Sequence, residues 1–113
     1  MLDLSHNQFS SIEELQAIQL LSCLNLSNNK MVSFSTLDPL KLLKSLKVLD
    51  ISHAIDTRSG VNVTNYWEAF AIFKDSKLTQ LDIIGNVVAE EEFKLFVVKI
   101  LPALNWLNGV ELH

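Results

Sequence analysis

The residues with the chemistry for catalysis or metal binding are few and widely spaced. Two histidines, His6 and His53, each lie four positions after the first leucine of a similar motif. If those motifs are neighbouring strands with one more between them, the histidines are about 10 Å apart. That distance is too large for one metal ion, and no cluster of cysteines or carboxylates completes a site. We therefore expect exposed turn histidines and no metal.

Candidate nucleophiles lack the neighbours that would activate them. Cys23 is the single cysteine, is expected to point outward between Met1 and Val48, and has no cationic residue beside it in the sequence. A cysteine becomes reactive when a nearby cation or helix N-terminus lowers its pKa. Ser59-Gly60 lacks the strand–turn–helix context of a nucleophile elbow, and the three glycines form no phosphate-binding loop. We expect no enzyme, no cofactor and no small-molecule ligand.

The composition indicates one globular domain with a mildly acidic balance. The 113 residues are 49% hydrophobic and 19% charged, with a formal net charge of −4. That acidity argues against nucleic-acid and membrane partners, because both require basic patches. One cysteine permits no internal disulfide and favours a reducing compartment. No secretory leader or bilayer-spanning run is evident, so we expect an intracellular location, cytoplasmic or nuclear.

The elements that would position these side chains come from an internal repeat. The segment "LDLSHNQF" begins at Leu2, and "LNLSNNKM" begins 22 residues later at Leu24. Further copies, "LDISHAI" and "LDIIGNVV", begin at Leu49 and Leu81. Alternation along each copy predicts a short strand with its leucines turned to the core. An asparagine after the strand would bond to the backbone of a neighbouring repeat. These asparagines are Asn7, Asn29 and Asn86.

The segments between the strands carry apolar residues at every third position. The spacing holds from Phe9 to Leu24 and again from Phe34 to Leu49. An α-helix repeats about every 3.6 residues and a strand every two, whereas a 3₁₀ helix has three residues per turn. We therefore predict 3₁₀-type return segments that present one side to the core. An irregular amphipathic helix is the alternative, and it fits two consecutive copies less well.

Spacing and residue types together resemble the leucine-rich repeat family, in its short 22-residue intracellular class. The resemblance covers nearly the whole chain and implies an α/β fold. That fold is a right-handed solenoid with a short parallel sheet on the concave side and 3₁₀ or helical return segments on the convex side. Residues 1–113 would form one domain whose repeats start near residues 1, 21, 46 and 78.

The last part of the chain, residues 90–113, resembles the C-terminal cap of this repeat class, through "EEEFKLFVVKILPALNWLNGVEL". Within the families that share the cap, the chain looks most like the acidic leucine-rich nuclear phosphoproteins and regulatory subunits of protein phosphatase 1. The long acidic tail of the former is absent. Because Met1 already falls in a strand, we expect this chain to be the C-terminal part of a longer solenoid, or its first strand to be covered.

The third copy departs from the pattern. Ala54 replaces the asparagine, and Leu81 follows Leu49 by 32 residues rather than 22. We predict a surface loop at residues 56–65 and then a helix in "NYWEAFAIFKD", with Asn65 and Glu68 as a capping box. The loop is interpreted as an insertion without function, a binding element being the alternative. The buried stripe of the helix would comprise Trp67, Phe70, Ala71 and either Ile72 or Phe73.

The outward positions of the predicted strands form the candidate binding surface. Aspartates along one column would attract a cationic partner, and a tryptophan would add an aromatic anchor. We expect a non-enzymatic protein–protein interaction module that binds a protein partner, basic in character, on its concave face. The alternatives are a structural terminal segment of a larger intracellular leucine-rich-repeat protein, a regulatory subunit of an enzyme such as a protein phosphatase, and an ordinary solvated face. The candidate site residues are Asp3, Asn25, Asp50, Asp82 and Trp106.

Overall fold

The chain forms an α/β structure around one open, mixed sheet of six strands. The computed structural model describes residues 2–5, 20–29, 34–54, 66–85 and 90–112. The strands follow one another across the sheet in chain order. The first five pair in parallel, and the sixth is antiparallel to the fifth. They are β1 (Leu2–Asp3), β2 (Cys23–Asn25), β3 (Val48–Asp50), β4 (Gln80–Asp82), β5 (Trp106–Leu107) and β6 (Val110–Glu111).

The equivalent leucines of the repeat are aligned across the parallel strands. Leu24 pairs with Leu49, Leu49 with Leu81, and Leu81 with Leu107. All four are at most 2% exposed. Successive residues of a strand face opposite sides, so the residues flanking each leucine lie on the other face. The inward direction predicted for these leucines is confirmed.

Helical segments provide the crossovers that parallel strands require. A 3₁₀ helix (Phe34–Leu42) lies between β2 and β3, α1 (Tyr66–Phe73) lies between β3 and β4, and α2 (Glu90–Ile100) lies between β4 and β5. The 3₁₀ helix begins where the three-residue spacing begins, which confirms that prediction. Every described side chain of that series is at most 5% exposed, namely Leu37, Leu40, Leu43, Leu46 and Leu49. The earlier copy of the spacing lies mostly outside the described residues.

The chain leaves successive strands through a left-handed turn at an equivalent position. Asn28, His53 and Gly85 have φ angles of 56°, 52° and 84°. Glycine enters this region at low cost, and asparagine and histidine are among the non-glycine residues enriched there. Backbone hydrogen bonds between neighbouring repeats continue beyond the strands into these turns. The amide of Asn28 donates to Ser52 O at 2.9 Å, and the amide of His53 donates to Ile84 O at 2.7 Å.

The asparagine after β2 bonds to the backbone as predicted. The side-chain amide of Asn29 donates to Leu26 O at 2.7 Å, to Leu4 O at 3.2 Å and to Ser27 O at 3.3 Å. It thereby joins the ends of β1 and β2. Asn7 and Asn86 lie outside the described residues. In the third copy Ala54 is buried and has no side-chain donor to offer.

The buried stripe predicted for α1 is partly wrong. Ile72 and Phe73 are buried, but Phe70 is 39% exposed and Ala71 is exposed as well. Apolar residues occupy nearly every position of this short helix, so their periodicity could not select the buried side. Packing against the 3₁₀ helix made that choice. The side chain of Trp67, the capping pair and the loop at residues 56–65 lie outside what the structure describes.

The C-terminal segment forms the last edge of the sheet with an antiparallel hairpin, which the sequence analysis did not predict. Helix α2 buries Phe93 and Val97, one turn apart, against the core. Strands β5 and β6 then join through Asn108 and Gly109, with φ angles of 52° and 78°. Positive φ at both central residues is the requirement of a type I′ turn, for which Asn-Gly is a preferred pair.

Candidate protein-interaction face

Strand pairing assembles the predicted acidic column. Asp3 pairs with Asn25, Asn25 with Asp50, and Asp50 with Asp82. These residues lie on the face opposite the buried leucines, and none of them is buried. We call this surface, with Trp106, the open face. The pairing establishes where the residues lie, while their role in binding stays a prediction.

Trp106 lies on the open face, one column away from the aspartates. It pairs with Gln80 on β4 and with Glu111 on β6, and it is 42% exposed. Its column also contains Cys23 and Val48. Side chains diagonal to one another on a sheet are about 7–8 Å apart, so an aromatic contact and an acidic contact can be made by one partner segment.

Serines two residues after the aspartates hold two of the carboxylates in place. Asp3 Oδ1 accepts hydrogen bonds from the Ser5 amide at 3.0 Å and the Ser5 hydroxyl at 2.6 Å. Asp50 Oδ1 accepts from the Ser52 amide at 2.9 Å and hydroxyl at 2.6 Å. The sequence analysis assigned these serines no role. The signal was the recurring D-x-S, since Asp commonly bonds to the backbone two residues on.

Asp82 lacks this support, because the residue two positions on is Ile84 rather than serine. Its pKa is raised above the ordinary 3.8, first by burial and then by repulsion from Asp50. Burial and the neighbouring carboxylate therefore both disfavour the ionised form of Asp82. A partner cation placed between these two carboxylates would relieve both effects.

Asn108 directly follows β5 and bonds to the backbone of the neighbouring strand. Its side-chain oxygen accepts a hydrogen bond from the Ile83 amide at 2.8 Å. It thus bonds to the backbone just beyond β4. Its own amide donates to Leu81 O at 2.9 Å, so the residue links the hairpin to the sheet.

Among the described residues, His53 and Cys23 belong to no cluster of metal-ligating side chains. His53 is exposed, and its imidazole covers the Cα of Gly85 so closely that a Cβ there would collide with the ring. His6 lies outside the described residues. Within the described ranges, no group of three or more His, Cys, Asp or Glu side chains could hold a metal ion. In the same ranges, no helix has the length and apolar character needed to cross a bilayer.

Comparison with known proteins reveals relatives that are much longer than this chain. No protein-family model matches it. It is 46% identical over 136 residues to geranylgeranyl transferase type-2 subunit alpha 2 of Arabidopsis thaliana, an alignment covering 99% of this chain and 20% of the relative. Alpha 1 from the same plant is 45% identical, with 96% and 20% covered. The chain thus spans about a fifth of the plant relatives.

A further relative belongs to a different kind of protein. The chain is 33% identical over 112 residues to a probable inactive serine/threonine-protein kinase of Dictyostelium discoideum, covering 96% of the chain and 6% of the relative. These relatives do not support the finer resemblance to acidic leucine-rich nuclear phosphoproteins. Two of them are by name subunits of an enzyme, which favours the enzyme-subunit alternative over a free-standing interaction module.

Proposed function

We propose that this chain is a non-catalytic, protein-binding segment of a larger intracellular protein, akin to an enzyme subunit. One observation carries the proposal: almost the whole chain aligns with only 20% of a transferase subunit and 6% of a probable inactive kinase. A segment that recurs as a unit inside proteins with different names behaves as a module. Association with another subunit is a function that such a module can serve in both settings.

We further propose that the segment is a right-handed leucine-rich-repeat solenoid ended by a cap. Parallel strands in chain order with their leucines in register support this architecture. The 3₁₀ return segment supports it too, because its three-residue period lets a short crossover face the core throughout. Helix α2 with the β5–β6 hairpin serves as the cap, since a solenoid needs an end that shields its last repeat from water.

The open face is the proposed binding surface, with Asp3, Asn25, Asp50, Asp82 and Trp106 as its contact residues. Two carboxylates held by neighbouring serines need little further ordering when a partner binds, which reduces the entropy cost of association. Repulsion between Asp50 and Asp82, which contributes to the raised pKa of Asp82, would be reduced by a cation placed near both carboxylates. A lysine- or arginine-rich protein surface is therefore the partner that fits.

The test of the face begins with a pull-down from a lysate and continues with the retained protein. Asp50→Asn and Asp82→Asn should each weaken binding by about two- to fivefold, as exposed charge pairs do, mainly through slower association and more strongly at low salt. Asp75→Asn removes the same charge from an exposed position after α1 and is the matched control. Equal effects of all three variants with no salt dependence would contradict the proposal. Loss of binding on substitution within residues 56–65 would instead place the site on that loop.

The non-catalytic role is tested by deleting this segment from the longer protein that contains it. We expect the catalytic step of the parent complex to persist while the contact with the segment's partner is lost. Trans-addition of the isolated chain should compete for that partner. An intact complex whose catalytic rate collapses on deletion would show that the segment takes part in the chemistry.

A further inference from the structure

The core side of the sheet contains a cavity that is separate from the open face. It has a volume of about 320 Å³ and lies where the C-terminal ends of the 3₁₀ helix and α1 come together. Its floor is formed by buried apolar side chains, including Leu43, Leu46 and Ile72. A cavity of this volume has room for about ten water molecules or for a ligand of about ten non-hydrogen atoms. Its volume is at the small end of the range for ligand sites.

Four lysines surround this cavity: Lys41, Lys44, Lys74 and Lys77. They are four of the nine cationic residues of a chain whose net charge is −4. Asp75 is the single carboxylate in the lining. These four positive charges therefore lie apart from the acidic open face. The net charge used in the sequence argument against basic patches averages over both surfaces.

Within the part of the chain that the structure describes, carboxylates neutralise little of that charge. Lys41 pairs with Asp38 at 2.9 Å. Lys44, Lys74 and Lys77 have no ion-pair partner among the described residues. Three ammonium groups around one cavity match a dianionic group better than a single carboxylate, which would neutralise only one of them. Lysine is a common phosphate binder because it acts as a mobile point charge.

We propose that the cavity binds a phosphorylated amphiphile, with its phosphate held by Lys44, Lys74 and Lys77 and a short alkyl part on the leucine floor. The site shares no residue with the open face and does not depend on the proposed function. The competing explanation is that the lysines only complement the negative ends of two helices, where cations are stabilising. That explanation predicts an effect of the lysines on stability and no binding.

The experiment follows backbone amide NMR shifts of the 113-residue chain during titration with hexyl phosphate, inorganic phosphate and hexanoate. We expect hexyl phosphate to bind best and to shift amides in residues 40–49 and 71–78. Replacing Lys44, Lys74 and Lys77 together by alanine should lower the affinity for hexyl phosphate by about tenfold or more. Each exposed lysine–phosphate pair contributes up to about fivefold in affinity. The matching triple arginine variant should retain binding. Lys94→Ala with Lys99→Ala on α2 should leave it unchanged.

Several outcomes would overturn the proposal. Absence of shifts in this region, or equal losses in the α2 variant, would leave the lysines with their helix-end role alone. If inorganic phosphate bound with the same affinity as hexyl phosphate, the apolar floor would make no contribution to binding. Vesicles of phosphatidylcholine with phosphatidic acid distinguish the sources of phosphate. Binding to these vesicles without binding of hexyl phosphate would identify a membrane-contacting surface instead of a cavity for a soluble ligand.

Discussion

Replacing Asn29 tests the bond network that joins β1 to β2. Its buried amide group donates to Leu26 O at 2.7 Å and to Leu4 O at 3.2 Å, and the side chain is 6% exposed. Asn29→Ala removes the donor and leaves buried carbonyl oxygens without it. An unsatisfied buried polar group costs about 1–3 kcal/mol, so the free energy of unfolding should fall by that amount.

Asn29→Asp is the more discriminating change, because it keeps the shape and removes the ability to donate. An ionised carboxylate would face carbonyl oxygens in a buried position, and an uncompensated buried charge costs about 3–5 kcal/mol. The folded protein therefore raises the pKa of this aspartate above its unfolded value of about 3.9. For a raised pKa, stability is fully present below the unfolded value and is lost as the pH rises through the folded value. Once protonated, the carboxyl can again donate one hydrogen bond.

The assay is urea unfolding followed by circular dichroism, at about pH 7 and about pH 4, with stability taken from linear extrapolation. Asn29→Asp should be less stable than Asn29→Ala at the higher pH, and the gap should shrink or reverse at the lower pH. Asn105→Asp introduces the same charge at an exposed position and should change stability by no more than about 0.5 kcal/mol. An Asn29→Asp variant as stable as wild type at about pH 7 would refute the assigned hydrogen bonds.

Three further predictions concern the turns, the open face and the core. Gly85→Ala should destabilise more than Gly109→Ala, because both have positive φ (84° and 78°) but only at Gly85 would the methyl meet His53. Gly109→Ala should lower the free energy of unfolding by about 1–2 kcal/mol. Adding His53→Ala to Gly85→Ala should remove the extra loss of stability that Gly85→Ala shows. Equal losses for Gly85→Ala and Gly109→Ala in urea unfolding would contradict the contact with His53. Asp82→Asn should raise the melting temperature at neutral pH but not below pH 3.8, the ordinary pKa of this carboxyl. The reason is that the raised pKa of Asp82 makes the folded protein less stable as the carboxyl ionises. A lower melting temperature of the variant at neutral pH, measured by scanning calorimetry, would contradict this environment of Asp82. Leu49→Ala should lower the free energy of unfolding by about 2–5 kcal/mol, and a urea midpoint that barely moves would argue against its place in the core.

The sequence by itself determined the strands of the four leucine motifs, their alignment and the 3₁₀ segment. A recurring leucine motif can bury its equivalent leucines together only if the strands are aligned. The repeat therefore predicted the pairing of Leu24 with Leu49 and of Leu49 with Leu81. The open-face column followed from alternation along those strands. The three-residue period likewise has one regular structure that matches it. Local periodicity carries this information because it depends only on the geometry of the chain within each element.

Only the tertiary structure decided which side of α1 is buried and where the charges gather. Phe70 and Ile72 are both apolar, and the contact with the 3₁₀ helix left one exposed and buried the other. Lys44 and Lys74 are far apart in the sequence but line the same cavity. The raised pKa of Asp82 also depends on its neighbours, through burial and the nearby Asp50. Packing partners and electrostatic energies are set by distances between elements, which composition and spacing along the chain do not encode.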